Sequence, residues 1–104
     1  MVIRMTTQFE LRRKSDELVY SFAKKDRPDG LQGFQRTDRD LWIIFKERLG
    51  WVAWDDENQT VTGRPWNILP EDQSTDLPPQ GEWVSLKGTK SYVYELVHVT
   101  QSIL

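Results

Sequence analysis

The chain has 104 residues, no cysteine, 38% hydrophobic and 29% charged residues, and a formal net charge of −2. This length suits one folded domain, so residues 1–104 are treated as a single domain. The absence of cysteine excludes disulfides and thiolate metal sites, and the acidic balance disfavours a general binder of nucleic acid or anionic membranes. Neither a secretory signal nor an apolar run of about 18 residues is visible, which predicts a cytoplasmic protein without a membrane segment.

The N-terminal part predicts a hairpin. Residues 2–12 alternate between apolar and polar side chains, which is typical of a half-buried strand. A polar turn follows at 13–16, and residues 17–23 alternate again through Leu18, Tyr20 and Phe22. An alternative is one helix near residues 15–25, with Ser15 as its N-cap, and that helix would make the fold α+β.

A loop is predicted over residues 25–39, because Pro28, Gly30 and Gly33 interrupt any regular pattern there. Leu31 and Phe34 are its candidate anchors to the core. This loop is long for an ordinary connection, so whether it is functional stays open.

The densest apolar material lies in residues 41–45 and 51–54. Both runs are short and rich in β-branched and aromatic residues, which favours strands buried on both faces. We expect them to pair as antiparallel neighbours around a buried Ile43, with Trp42 and Trp51 in the core. A third strand over 59–62 would complete a meander.

The C-terminal half predicts further strands. Residues 64–70 are interpreted as a sheet edge, because Pro65 cannot donate to a central ladder. Residues 70–81 read as a loop whose function stays open, and 82–86 and 91–100 as a final pair of strands. About seven strands at short spacing predict a mainly β fold, a small antiparallel sandwich or barrel.

No pattern of residues demands a particular chemistry. His98 is the single histidine, without a nucleophile or an orienting acid at any informative spacing, and is interpreted as structural. The acidic run at 55–58 lacks the alternating ligands and glycine of a calcium loop and is interpreted as a turn. We therefore predict no enzymatic activity, no metal site and no cofactor.

The candidate binding residues are Trp54, Arg64, Pro65 and Trp66, because tryptophan and arginine near loops are favoured anchors of interfaces. Of these, Arg64, Pro65 and Trp66 are expected to form one exposed patch. The leading hypothesis is a protein-interaction or self-association module that uses them.

Two other functions remain open. One is a small β-barrel that binds single-stranded nucleic acid through the basic clusters at 12–14 and 24–27, although the net charge disfavours it. The other is a small-ligand or enzymatic pocket around Arg64 and Trp66.

Overall fold

The strands form one closed, antiparallel barrel. The computed structural model describes the backbone of residues 3–103 and the side chains of residues 8–86 and 88–99. Each strand pairs with the next one along the chain, and the last strand pairs with the first. The elements are β1 (Ile3–Arg13), β2 (Val19–Lys24), β3 (Gly33–Arg36), β4 (Trp42–Lys46), β5 (Gly50–Asp55), β6 (Thr60–Pro65), a 3-10 turn η1 (Pro70–Asp72), β7 (Gly81–Lys87) and β8 (Lys90–Ile103). The prediction of a mainly β antiparallel fold is confirmed.

Helix is confined to η1 within residues 3–103, and no helix there has the length and hydropathy to cross a membrane.

The pairing of β1 with β8 closes the sheet. These are the longest strands, with 11 and 14 residues. Their register runs from Ile3 opposite Ile103 to Arg13 opposite Tyr94, with a bulge between Thr6 and Gln8. Closure gives every strand two neighbours over part of its length, but in the described registers residues 3–6 of β1 pair only with β8, and residues 97–103 of β8 pair only with β1.

The prediction of a sheet edge at Pro65 is wrong for β6 as a whole, which pairs with both β5 and β7, but it is correct locally, because Arg64 and Pro65 pair with β7 alone. Pro65 is the last residue of β6, is buried, and lies opposite Trp83 of β7. Successive residues of an antiparallel strand point their N–H groups to alternate neighbours. Because Trp66 N donates to Glu82 O on β7, the nitrogen of Pro65 faces β5, and β5 pairs with β6 only up to Gly63. The missing N–H of Pro65 costs no ladder bond.

Two further expectations fail near the N-terminus. The alternative helix near 15–25 is replaced by a turn and by β2, where Phe22 is buried while Leu18 and Val19 are exposed. Strand β3 lies inside the predicted loop 25–39, because four residues that begin with glycine carry too little alternation to be recognised. Phe34 is nevertheless the buried anchor that the sequence indicates.

The central hairpin is confirmed. Ile43 of β4 lies opposite Ala53 of β5, and Ile43 and Ile44 are both 0% exposed, so β4 is covered on both faces. Trp51 is buried as expected, but the placement of Trp42 in the core is wrong. Trp42 has the opposite parity to Ile43, lies on the outer face and is half-buried beneath the Arg27 guanidinium, 4.7 Å from its ring centroid.

Aromatic rings fill one half of the interior. Phe9 stacks on Phe22 with ring centroids 5.1 Å apart and meets the edge of Phe34 at 4.9 Å. Trp51 packs against Phe34 at 5.7 Å and Phe45 at 5.6 Å. Phe34, Phe45 and Trp51 lie near one end of the barrel. This end also holds the turn 47–49 and the loop 66–80, and we call it the closed end. The turns 14–18, 37–41, 56–59 and 88–89 lie at the other end, the open end.

The loop 66–80 covers the closed end through specific hydrogen bonds. The Gln73 side chain accepts from Trp51 N at 2.8 Å and donates to Ile68 O at 3.2 Å, while Trp51 Nε1 donates to Ser74 O at 2.7 Å. His98 Nε2 lies 2.6 Å from Pro78 O, and since a carbonyl only accepts, that nitrogen carries the proton. Within the described structure, this loop covers one end of the barrel and completes the core.

Ile43→Ala should lower the free energy of unfolding by about 2–5 kcal/mol, because it leaves a cavity among rigid aromatic neighbours. Chemical denaturation measures the loss. A loss of only a few tenths of a kcal/mol would contradict the placement of Ile43 in the core.

Gly50→Ala should destabilise the fold more than Gly30→Ala. Both glycines have left-handed backbones, with φ of +75° and +78°, so each alanine carries strain of about 1 kcal/mol or more. A Cβ at Gly50 would lie 2.6 Å from Gln73 Oε1, whereas a Cβ at Gly30 meets nothing within 4 Å. The extra loss at Gly50, about 1–2 kcal/mol, measures the anchoring of the loop by Gln73. Equal losses of unfolding free energy in denaturant titrations would mean that the Gln73 side chain moves away from the added methyl group without cost to stability.

Candidate functional site: the open end of the barrel

Three small residues lie side by side on neighbouring strands. Ala53 of β5 lies opposite Gly63 of β6, and Gly63 lies opposite Ser85 of β7. Trp83, two residues before Ser85, is buried in the core, so strand periodicity turns Ser85 inward as well. Where an eight-stranded barrel is ordinarily filled by side chains, this row leaves space.

The space is a cavity of about 300 Å³. Its apolar wall is formed by Leu11, Phe22, Ile43 and Trp83, and the row of small residues forms the side opposite β2 and β3. The strand ends that border it carry the turns of the open end, so the cavity opens there. An apolar cavity of this size at the end of a barrel is typical of a small-molecule site.

The mouth of this cavity is polar and aromatic. Arg36 ends β3 on the face that carries Phe34, and its guanidinium lies 4.0 Å from the ring centroid of Tyr20. Tyr20 lies 6.1 Å from Tyr94, and Arg13 is stacked over Tyr92 at 5.0 Å. Two cations therefore lie over two tyrosine rings around one opening.

Each of these arginines is held by a neighbouring carboxylate. Arg13 forms a two-pronged contact with Asp16, and Arg36 does the same with Asp38, with Nη2 2.9 Å from Oδ2. The Arg36 guanidinium lowers the pKa of Asp38, and Arg13 likewise lowers the pKa of Asp16. Both pairs are therefore fully charged at neutral pH.

Tyr94 remains a neutral donor at this mouth. Its side chain is almost fully buried. Burial raises the pKa of its phenol above the ordinary value, and the neighbouring Arg13 guanidinium partly offsets that effect. The Tyr94 hydroxyl accordingly keeps its proton at neutral pH.

The four residues predicted to bind do not form one site. Trp54 borders the barrel cavity, with Lys46 Nζ 3.7 Å from its ring centroid. Arg64, Pro65 and Trp66 line a separate groove of about 430 Å³ at the closed end. Arg64 and Trp66 are exposed, but Pro65 is buried, which corrects the expectation that all three form an exposed patch.

Most of the arginines and lysines of the basic clusters are paired with carboxylates, whereas Lys24 and Lys25 are exposed. Arg12 pairs with Glu10, Lys14 with Glu82, and Arg27 with both Asp29 and Asp56. A phosphate backbone would have to displace these carboxylates, so single-stranded nucleic-acid binding stays an untested alternative with little support.

No group of His, Cys, Asp and Glu suited to a metal ion occurs within the part of the chain that the structure describes.

The sequence did not point to Arg36, Tyr20 or Tyr94 as site residues. A signal was present for Arg36, since it continues the inward parity of Phe34 at the end of its strand. The row of Ala53, Gly63 and Ser85 gave none, because these positions become neighbours only through the register of three strands.

Comparison with known proteins returns no match. No family model fits the chain, and no curated protein or solved structure is significantly similar to it. What the open end does is therefore inferred from its own geometry.

Proposed function

We propose that the chain is a binding domain that takes a small amphipathic molecule into the open end of its barrel. The observation that carries this proposal is the cavity of about 300 Å³ beside Ala53, Gly63 and Ser85. This volume lies at the lower limit of small-ligand pockets, which corresponds to a molecule of one or two rings or a short acyl chain.

The chemistry of the wall supports a ligand with two unlike ends. Deep positions are apolar, with Trp83 and Phe22 able to contact a ring or an alkyl chain. The mouth presents Arg36 and tyrosine side chains, which suit a polar group that stays near water. A ligand would thus enter with its apolar end first.

Binding rather than catalysis is supported by the hydroxyl groups of the cavity. Thr62 Oγ1 donates to Ala53 O and Ser85 Oγ donates to Thr62 O, each at 3.3 Å. Both hydroxyls are thereby engaged by the backbone at the β5–β6 bulge instead of being activated by a base. The domain is proposed to act without enzymatic activity, and a cytoplasmic location stays a prediction.

The neutral probe 2-naphthamide should bind the wild-type chain, and Ser85→Leu should weaken binding about tenfold or more, because a leucine at this position occupies the cavity. Calorimetric titration measures the affinity, and amide chemical-shift changes should concentrate on β5, β6 and β7.

Ser91→Leu is the matched control, since Ser91 is exposed on the neighbouring strand and lies opposite the exposed Leu86. It should bind like the wild type. Ala53→Val provides a second filling variant if Ser85→Leu disturbs the thermal transition. Unaltered binding by both filling variants, or shift changes confined to the groove beside Trp66, would refute the proposed site.

The second candidate is self-association through the groove at the closed end. Three large apolar side chains around it are about half exposed, namely Leu49 (49%), Trp66 (51%) and Leu69 (58%), and Arg64 lies beside them. A cluster of exposed apolar residues with a tryptophan and an arginine favours a protein contact. A second copy of the chain is the occupant that we would test.

Trp66→Ala should convert an associating wild-type chain into a monomer while leaving the thermal transition of the monomer nearly unchanged, because the ring contributes little to its own core. Sedimentation velocity over a concentration series measures this. Leu86→Ala is the control, since Leu86 is 56% exposed but lies at the open end. A wild-type chain that stays monomeric at its highest soluble concentration, or a Trp66→Ala variant that unfolds, would contradict self-association.

A further inference from the structure

Arg36 is held rigidly at the cavity. Its side chain is only 14% exposed, its guanidinium lies flat on Tyr20, and it borders the space between Phe22 and Trp83. A guanidinium stacked in this way has lost most of its conformational freedom before any ligand arrives, which lowers the entropic cost of binding through it.

One edge of this guanidinium is unused. Nε and Nη2 donate to the two carboxylate oxygens of Asp38, at 2.5 and 2.9 Å. No hydrogen bond from Nη1 occurs among the described residues, although Nη1 carries two donor hydrogens. Asp38 is 63% exposed, so it holds Arg36 from the solvent side while the free edge remains for a group in the mouth.

The charged residues that line the cavity favour an anion. Arg36 and Arg39 border it, whereas the carboxylates of the same turn are not among its lining residues: Asp38 pairs with Arg36, and Asp40 accepts from Gln35 and from Trp42. The rings of Tyr20 and Tyr92 are each covered by an arginine, which leaves these faces unsuited to a cationic ligand.

We propose that the polar group of the ligand is a carboxylate, bound by the free Nη1 edge of Arg36 with its apolar part directed toward Trp83. This inference rests on the proposed function, because it requires that the cavity takes up a ligand. A carboxylate accepts from a guanidinium in a charge-assisted hydrogen bond, which is about twice as strong as a neutral one.

The experiment compares 2-naphthoate with the isosteric, neutral 2-naphthamide at pH 7, by calorimetric titration of the full chain. The wild type should bind the naphthoate about tenfold more tightly, the gain expected from one charge-assisted hydrogen bond. Arg36→Gln should reduce this ratio to about one, because the variant loses the charge that distinguishes the two probes.

Arg12→Gln is the matched control. Arg12 also pairs with a carboxylate two residues away, Glu10, but its side chain is 51% exposed on the outer face. It should keep the wild-type ratio. Arg36→Lys retains the charge without the planar fork and should give an intermediate ratio, which provides a second reading if Arg36→Gln unfolds.

The outcomes separate the two proposals. Equal affinity of the wild type for both probes, or a ratio unchanged by Arg36→Gln, would overturn the anion inference and leave the cavity as a binding site for neutral ligands. Absence of binding by both probes would overturn the proposed function and this inference with it.

Discussion

The pairing of β1 with β8 is the constraint on which the rest of the structure depends. It joins the first and last strands over most of their length and turns a meander into a barrel. Once the sheet is closed, every second residue of each strand faces a common interior of limited diameter. The identity of these inward residues then decides, layer by layer, whether the interior is filled or empty.

The two ends of the interior are built differently. Toward the closed end, Phe34 and Phe45 both pack against Trp51, and the loop 66–80 covers this end through Gln73 and Pro78. Toward the open end, the row that includes Gly63 contributes almost no side-chain volume. The exposed ion pairs Arg12–Glu10 and Lys14–Glu82 add little to this organisation, because such pairs contribute about 0–1 kcal/mol. Stability is concentrated at one end, and space is left at the other.

The features that were predictable from the sequence are those encoded within one strand. Alternation through Tyr20 and Phe22 indicated β2, and the apolar runs indicated the hairpin around Ile43. The features that failed depend on neighbours distant in sequence. Trp42 resembles a core residue until its parity relative to Ile43 is fixed, and Pro65 suggests an edge strand although β6 has two neighbours and is unpaired with β5 only at its end.

The candidate site was hidden for the same reason. The cavity exists because three small residues from three strands lie opposite one another in the sheet. No pattern within a single strand predicts that they become neighbours. The predicted residues Arg64 and Trp66 are exposed as expected, but they lie at the end of the barrel where the core is already complete. Composition identified candidate contact residues, whereas only topology could locate the internal space.

Arg27 and Arg36 separate a structural arginine from one that is available to a ligand. Arg27 lies on Trp42, its side chain is 7% exposed, and it donates to Asp29 from Nε and Nη2 and to Asp56 from Nη1 and Nη2. All three of its guanidinium nitrogens thus fasten the loop before β3 to the turn after β5. Arg36 has the same aromatic support but a single carboxylate partner on its solvent side. A partly buried cation with a free edge costs stability that a leucine at the same position would not. Polar residues that face an otherwise apolar interior concentrate at functional sites. The Nη1 donors of Arg36, which have no partner among the described residues, therefore support the proposal that the open end binds a ligand.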